Sequence, residues 1–200
     1  MNYTGPKVRL SRQLGLALTP KAARIMERKP HPPGQHGNAK RRVKKTDYAL
    51  QLLEKQRLRF QYNVSERQMR NYYMKASRKT GNTGELMVQS LEQRLDSLVL
   101  RAGFARTIYA ARQYVTHGHF MVNGRPVNLP AYSVRPGDVI SVRPRSRKIE
   151  CLREGLGAGV RPQYLQVSKT ELSAQLLHTP MRDEIPVICD VTLVVEYYSR

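Results

Sequence analysis

Acidic residues are scarce in this chain of 200 residues, and long apolar runs are missing from it. Asp and Glu number 15 against 35 Lys and Arg, so the formal net charge is +20 and the pI is about 10.5. A surface of that sign repels itself unless a polyanion covers it, so the expected partner is a nucleic acid or an anionic membrane. No segment is long and apolar enough to cross a bilayer, and no apolar signal segment follows the N-terminus. The sequence therefore predicts a cytoplasmic protein that binds a polyanion.

Cysteines and catalytic motifs are also scarce. The two cysteines, Cys151 and Cys189, are isolated in the sequence and are expected to be reduced and structural. The glycine-rich stretch 155–159 lacks the Lys-Ser/Thr pair of a P-loop and the spacing of a dinucleotide fingerprint, so it is expected to be a flexible loop. Neither a Ser-His-Asp order nor a carboxylate pair stands out. These absences favour a binding protein over an enzyme.

The positive charge is distributed unevenly along the chain. Lys and Arg outnumber Asp and Glu by 15 to 3 in residues 1–60, by 5 to 2 in residues 61–90, and by 10 to 3 in residues 91–148. Residues 149–200 reverse the balance, with 5 against 7. Nucleic-acid contact is therefore expected in the first three quarters of the chain, and a protein partner or the chain's own core in the last quarter.

The first 45 residues look unlike a packed domain. Proline and glycine recur, apolar periodic runs are few, and the segment ends in the basic run 40–45. Because such a composition can hardly bury enough apolar surface to offset its ordering entropy, we predict a basic arm that becomes ordered on RNA. A nuclear-localisation signal and a solvated helix start are alternative interpretations of the basic run. The candidate RNA-binding residues of this arm are Arg9, Arg12, His36, Lys40, Arg41, Arg42, Lys44 and Lys45.

Residues 46–90 have a helical pattern. Thr46 or Asp47 can cap a helix whose residues Tyr48, Leu52 and Leu53 are predicted to be buried. Residues 65–68 form a capping box that opens the next helix, and residues 82–85 resemble another. The tyrosine pair at 72–73 could stack on bases, but at helical spacing it is expected in the core. The candidate RNA-binding residues here are Lys55, Arg57 and Arg59, predicted to face outward, together with Arg67 and Arg70.

Between positions 91 and 99, apolar residues recur with helical period, and Gly103 is a plausible end of that helix. Arg94 and Arg101 are seven residues apart, so we expect them to share one flank. Neither has an acidic residue three or four positions away, so both are predicted to be available for paired contacts with phosphate oxygens. Two ordinary solvated arginines are the alternative interpretation.

A second helix is predicted after Thr107, which can cap it, with Ile108, Ala111 and Val115 on its buried face. This helix is expected to end near residues 117–119. The His-x-His pair at that end has no accompanying Cys or carboxylate cluster, so loop residues are expected there rather than a metal site. The candidate RNA-binding residues of this segment are Arg106, Thr107, Arg112, His117 and His119.

Strand and turn signals follow the second helix. Asn123-Gly124 between apolar residues predicts a two-residue hairpin turn, because both residues tolerate positive φ. Residues 136–138 predict another turn, residues 139–142 a strand, and residues 143–148 a basic exit. The candidate RNA-binding residues are Asn123, Arg125, Arg147 and Lys148.

In this order of parts, residues 91–148 resemble the S-four RNA-binding domain. The matching stretches are LEQRLD, GFARTIYAARQYVTHGH, VNG and PGDVISVR. That domain also occurs in some pseudouridine synthases, tyrosyl-tRNA synthetases and stress proteins. A pseudouridine synthase would need a further catalytic domain, which makes an RNA-modifying enzyme the least favoured alternative. A free-standing RNA-binding regulator or stress protein stays open as another.

The rest of the chain resembles the universal S-four family of bacterial small-subunit ribosomal proteins. The stretches that carry this resemblance are GPKVRLSRQLGLAL, HPPGQHG, DYALQLLEKQRLRFQYNVSERQMRNYY and the closing VVEYYSR. The resemblance implies an α+β fold with an extended basic N-terminal arm (1–45), an all-helical domain (46–90, completed by 190–200) and an inserted α/β RNA-binding domain with an antiparallel sheet (91–189, module core 91–148).

The same resemblance implies a function and a set of partners. It implies a primary rRNA-binding protein on the 5′ domain of small-subunit rRNA that nucleates assembly of the subunit body and contributes to translational accuracy. The implied neighbours are ribosomal protein S-five and the mRNA entry path, with one copy of the chain in each ribosome, no membrane and no enzymatic activity.

Two features depart from a simple reading of the family. Many members hold zinc through N-terminal cysteines, but Val8 and Ser11 stand where two of those would fall, and only His31 and His36 are nearby. Zinc needs four suitable ligands, so the resemblance is to a cysteine-free branch with no cofactor. At the other end, the β-branched run 191–195 favours a strand by propensity, whereas the resemblance implies a helix capped by Asp190, which we prefer.

Overall fold

The computed structural model describes residues 3–37, 46–154 and 162–200. The chain separates into two compact units, residues 1–84 with 187–200 (unit 1) and residues 85–186 (unit 2). None of the helices in the described ranges is long and apolar enough to span a membrane. In the described residues the helices are α1 (Lys7–Leu14), α2 (Pro20–Arg28), α3 (Asp47–Gln61), α4 (Glu66–Ser77), α5 (Thr83–Glu92), α6 (Leu95–Arg101), α7 (Ile108–Thr116), α8 (Glu150–Glu154) and α9 (Val191–Ser199), and the strands are β1 (Phe120–Val122), β2 (Arg125–Pro126), β3 (Val139–Val142), β4 (Leu165–Ser168) and β5 (Ser173–Leu176).

Unit 1 is helical, and its N-terminal part is packed. Leu10 and Leu14 lie four residues apart, so they share one face of α1, and both are buried together with Phe60 of α3. Arg57 of α3 donates from Nε to the Leu14 carbonyl at 2.9 Å. The expectation of an arm without a core is therefore wrong for residues 7–14. The sequence did not reveal this core, because α1 has only a short run of apolar residues at helical spacing and they pack against α3.

The orientation predicted for α3 is also wrong. Thr46 caps the helix as predicted, with its side chain accepting from the Ala49 amide. However, Tyr48 is 50% exposed, while Lys55 is buried and bonded to Glu66 at 3.0 Å. The buried polar residues of α3 bond to groups of α4 and α9. These bonds fix which face of α3 is buried, and the apolar spacing does not show them.

The C-terminal residues close unit 1 as the helix α9. Asp190 accepts from the Thr192 and Leu193 amides, so the capped helix is confirmed over the strand. This helix packs on α3 and α4. Gly84 allows a close approach, because a Cβ built there would lie 2.6 Å from Val191 Cγ1.

Unit 2 combines helices with a five-stranded sheet. The strand order is β2-β1-β3-β5-β4, and the neighbouring strands are antiparallel. This confirms the α+β class. Asn123 and Gly124 have φ values of 49° and 76°, which confirms the hairpin turn. The buried faces of α6 and α7 and of the sheet share one apolar core, which includes Phe104, Phe120 and Ile140.

The single helix predicted across residues 91–101 is in fact two. Arg94 forms an isolated bridge with Ser133, the Leu95 amide donates to the Tyr132 carbonyl, and the Val134 amide donates to the Gln93 carbonyl. This extended pairing with a distant segment replaces the helical bonds between α5 and α6. Apolar spacing could not reveal it, because both helices keep the same period on each side of the break.

Candidate RNA-binding surface

Two arginines of the module, Arg106 and Arg112, lie just before and in the middle of α7 and reach the surface. Arg106 is exposed, immediately before Thr107, whose side chain accepts from the Ala110 amide and caps α7 as predicted. Arg112 lies five residues after Thr107, in the middle of α7, and is partly exposed. A cation beside a helix N-terminus adds to the positive end of the helix dipole, so this part of unit 2 suits an anion.

Arg94 is an exception to the predicted phosphate contacts. Its side chain is 1% exposed, and it donates to both carboxylate oxygens of Asp96, from Nε at 2.9 Å and from Nη2 at 2.6 Å. Arg94 and Arg101 therefore do not share an exposed flank, and Arg94 is a buried structural residue. The carboxylate partner stands two positions away, a spacing that pairs residues only where the chain is not helical.

Arg101 is similarly committed inside unit 2. It donates to Glu92, which is fully buried, and Tyr164 donates its hydroxyl to the same carboxylate at 2.7 Å. Burial and the adjacent carboxylate raise the pKa of Tyr164 well above its ordinary value. Sequence spacing missed this group, because Glu92 and Arg101 face each other across the break between α5 and α6.

The histidines at the end of α7 lie beside the basic segment 143–148 that follows β3. His119 Nδ1 lies 2.9 Å from Ser146 Oγ, and Arg143 donates from Nη1 to the Gly118 carbonyl at 3.0 Å. Burial, the His117 ring and the Arg143 charge lower the pKa of His119. Among the described residues no group of three or more His, Cys, Asp or Glu is placed to hold a metal ion.

The hairpin carries one bonded and one outward candidate. Asn123 donates from Nδ2 to Asp138 at 2.8 Å and accepts from the Val139 amide at 2.9 Å, so its side chain joins the hairpin to the next strand. Arg125, by contrast, is exposed in β2. Arg147 and Lys148 are likewise exposed just after the short turn that follows β3.

Several cations of unit 1 are bonded inward. Arg57 bonds to Glu54 at 2.6 Å, and Arg59 donates to the Val64 carbonyl at 3.2 Å. Burial acts to raise the pKa of Glu66, but bonds from Tyr198 and Lys55 outweigh it and hold that pKa below its ordinary value. Lys55 was predicted to face outward; the structure corrects this, because its buried ammonium is bonded to Glu66.

Other unit 1 candidates face solvent. Arg9, His36, Arg67 and Arg70 are exposed, whereas Arg12 is half-buried and donates to the His31 and Pro32 carbonyls. The buried hydroxyl of Ser11 donates to the Lys7 carbonyl and accepts from the Leu18 amide, which ties α1 to the segment after it. The candidates Lys40, Arg41, Arg42, Lys44 and Lys45 lie outside the described residues.

Several carboxylates are bonded to cations within the two units. Four of them, Glu54, Glu66, Glu92 and Asp96, are drawn into ion pairs, and two of these are completely buried. Others accept hydrogen bonds from neighbouring polar groups, among them Asp138, Glu184 and Glu196. Each of these ion pairs also uses a Lys or Arg, so the pairs leave the sign of the net charge unchanged, and the excess positive charge is carried by the remaining exposed Arg and Lys side chains.

Two family models match the sequence. The ribosomal protein S4/S9 N-terminal domain matches residues 2–92, and the S4 domain matches residues 93–140. The small ribosomal subunit protein uS4 of Streptomyces avermitilis is 54% identical over 204 residues, which cover 100% of this chain and 99% of that protein. The uS4 protein of Thermobifida fusca is 48% identical over 204 residues, with 100% of both chains covered. That of Micrococcus luteus is 52% identical over 199 residues, covering 96% of this chain and 95% of its own.

Identity at this level along the full chain establishes the family and, with it, a structural component of the ribosome rather than an enzyme. The chain belongs to the uS4 family of small ribosomal subunit proteins.

Proposed function

We propose that this protein is a primary rRNA-binding protein that binds the 5′ domain of small-subunit rRNA and nucleates assembly of the subunit body. In the ribosomes of the cytoplasm it also contributes to the accuracy of translation. Membership of the family already makes the protein a structural constituent of the small subunit. The binding site on the rRNA, the role in assembly and the role in accuracy are the parts that we propose.

The observation that carries this proposal is the separation of charge between interior and surface. Glu92 and Asp96 are buried in ion pairs, while arginines such as Arg67, Arg70, Arg106 and Arg125 are exposed. Exposed arginines in a chain of high positive net charge suit a phosphate backbone, because contacts with phosphate supply most of the affinity of nucleic-acid binding.

The form of the RNA follows from what such a surface can read. A-form RNA has a deep, narrow major groove that hides its base edges, so a folded RNA presents mainly phosphates, 2′-hydroxyls and the geometry of its junctions. Helices that carry exposed arginines suit recognition of that shape. We therefore expect selectivity for the fold of the 5′ domain rather than for a short sequence.

The partners of the protein are proposed on the same basis. Residues 149–200 carry more acidic than basic residues, and Met181 in this part is 63% exposed. That composition suits a protein neighbour, which we propose to be ribosomal protein S-five, at a position near the mRNA entry path. One copy of the chain would be present in each subunit.

Filter binding to two transcripts tests the proposal. The purified protein is titrated against the 5′ domain of small-subunit rRNA and, separately, against another domain of the same rRNA at equal salt and magnesium. Tight binding to the first and much weaker binding to the second is the expected result. Equal affinity for both would show a general polyanion binder, and the assembly role would then be rejected.

A further inference from the structure

We infer that Asp96 is a positioning residue for RNA binding, because its buried carboxylate orients the guanidinium of Arg112 toward a phosphate of the RNA. The inference rests on the proposed rRNA-binding function and deepens it, since it assigns an acidic residue a favourable part in binding a polyanion. Asp96 itself does not touch the RNA.

The carboxylate of Asp96 has a fixed orientation. Its side chain is 0% exposed, and Arg94 grips it with two bonds of 2.9 and 2.6 Å. The Ser97 amide donates to Oδ1 at 3.0 Å. Two parallel bonds from one guanidinium fix both the position and the plane of a carboxylate. Burial raises the pKa of Asp96 above its ordinary value, and the charges of Arg94 and Arg112 act against that rise.

Arg112 reaches the same carboxylate from α7. Its buried Nη1 forms an ion pair with Asp96 Oδ2 at 3.5 Å, a contact that acts through charge attraction rather than a hydrogen bond, and 22% of the side chain remains exposed. The planar guanidinium carries five N–H donors in a rigid fork. Anchoring one end of that fork against Asp96 therefore sets the direction in which the exposed part faces solvent.

The charges of Arg94, Asp96 and Arg112 also favour a contact between Arg112 and a phosphate. Two guanidinium groups and one carboxylate leave one excess positive charge. Because Arg94 is buried, that excess meets solvent through Arg112. Without the carboxylate, the two cations would repel each other in a medium of low dielectric constant, and Arg112 would turn away from its present position.

This role predicts an effect of unusual sign. Asp96→Asn removes a negative charge and makes the protein more positive, so long-range electrostatics alone would strengthen RNA binding. Positioning predicts the opposite, a loss of about tenfold in affinity for the 5′-domain transcript, the size expected when one arginine contact is lost. Glu150→Gln is the matched control, since it removes the same charge from an exposed residue of α8 and should bind as tightly as the unchanged protein or slightly more tightly.

The decisive measurement is a double-mutant cycle in filter binding at fixed salt, with Asp96→Asn, Arg112→Ala and both together. Thermal melting by circular dichroism checks that each variant is folded at the binding temperature. We expect the two single changes to weaken binding by similar factors and the double change to weaken it no further. A structural role of Asp96 alone would lower the melting temperature but leave the affinity of the folded protein unchanged.

A second variant tests the inference without changing the buried Asp96, whose replacement could destabilise unit 2. Arg112→Lys retains the charge but lacks the planar fork, so it should lose most of the affinity that Arg112→Ala loses. If Asp96→Asn binds as tightly as the control while folded, or if Arg112→Lys is indistinguishable from the unchanged protein, the inference is wrong although rRNA binding stands. If the unchanged protein does not select the transcript, the proposed function itself fails.

Discussion

The salt dependence of rRNA binding can be worked from the exposed cations. The residues that were predicted to bind RNA and that the structure leaves exposed as cations are Arg9, Arg67, Arg70, Arg106, Arg125, Arg147 and Lys148. If each of these seven and the partly exposed Arg112 neutralises one phosphate, the relation for counterion release gives a slope of about −6 to −7 for log affinity against log salt concentration. Affinity should then fall by about 10³ to 10⁴ between roughly 0.05 and 0.2 M monovalent salt.

The assay is filter binding to the 5′-domain transcript at several potassium concentrations, with magnesium held constant so that the RNA stays folded. Arg106→Gln should reduce the slope by about one, because it removes one phosphate contact. Arg57→Gln removes the same charge from a guanidinium that bonds to Glu54 and to the Leu14 carbonyl, so its slope should equal that of the unchanged protein. A slope near zero, or equal reductions for both variants, would refute this account of the surface.

Three further predictions concern the folded protein. Tyr164→Phe removes the 2.7 Å bond to the buried Glu92 and should cost unit 2 about 1.5–3 kcal/mol of unfolding free energy, measured by urea denaturation; an unchanged midpoint would argue against the bond. Since the folded-state pKa of Tyr164 is raised, the stability linked to it is complete below the unfolded pKa of about 10 and is lost as pH rises above that value, and this loss should be absent in Tyr164→Phe. Leu14→Ala should destabilise unit 1 by about 2–5 kcal/mol in calorimetry without RNA, whereas an arm that orders only on RNA would show no change.

The features that sequence predicted correctly are those that short-range chemistry determines. The hairpin at Asn123-Gly124, the cap at Thr107 and the capping box at Ser65 each depend on residues within four positions of one another. The strand propensity of residues 191–195 was overridden, since Asp190 caps a helix there.

The features that sequence missed depend on partners far along the chain. The break after Gln93 follows from pairing with the segment around Tyr132, and the burial of Lys55 follows from Glu66. Strands β4 and β5 were not predicted, although alternating apolar residues at Leu165, Val167, Ala174 and Leu176 offered a signal of period two. Arg94 was wrongly predicted to bind RNA for the same reason. Its carboxylate partner, Asp96, is two positions away, a spacing that pairs side chains only where the chain is extended.

The closure of unit 1 by α9 has a consequence for the order of events during synthesis. Glu54 accepts from the Asp190 amide and Glu66 from the Tyr198 hydroxyl, contacts that span 136 and 132 positions of the chain. Residues 187–200 are synthesised after the whole of unit 2, so unit 2 can complete its core while unit 1 still lacks the helix that packs on α3. The first residues to leave the ribosome thus belong to the unit that finishes folding last, and a premature stop after unit 2 would release a chain with an intact module and an open helical unit.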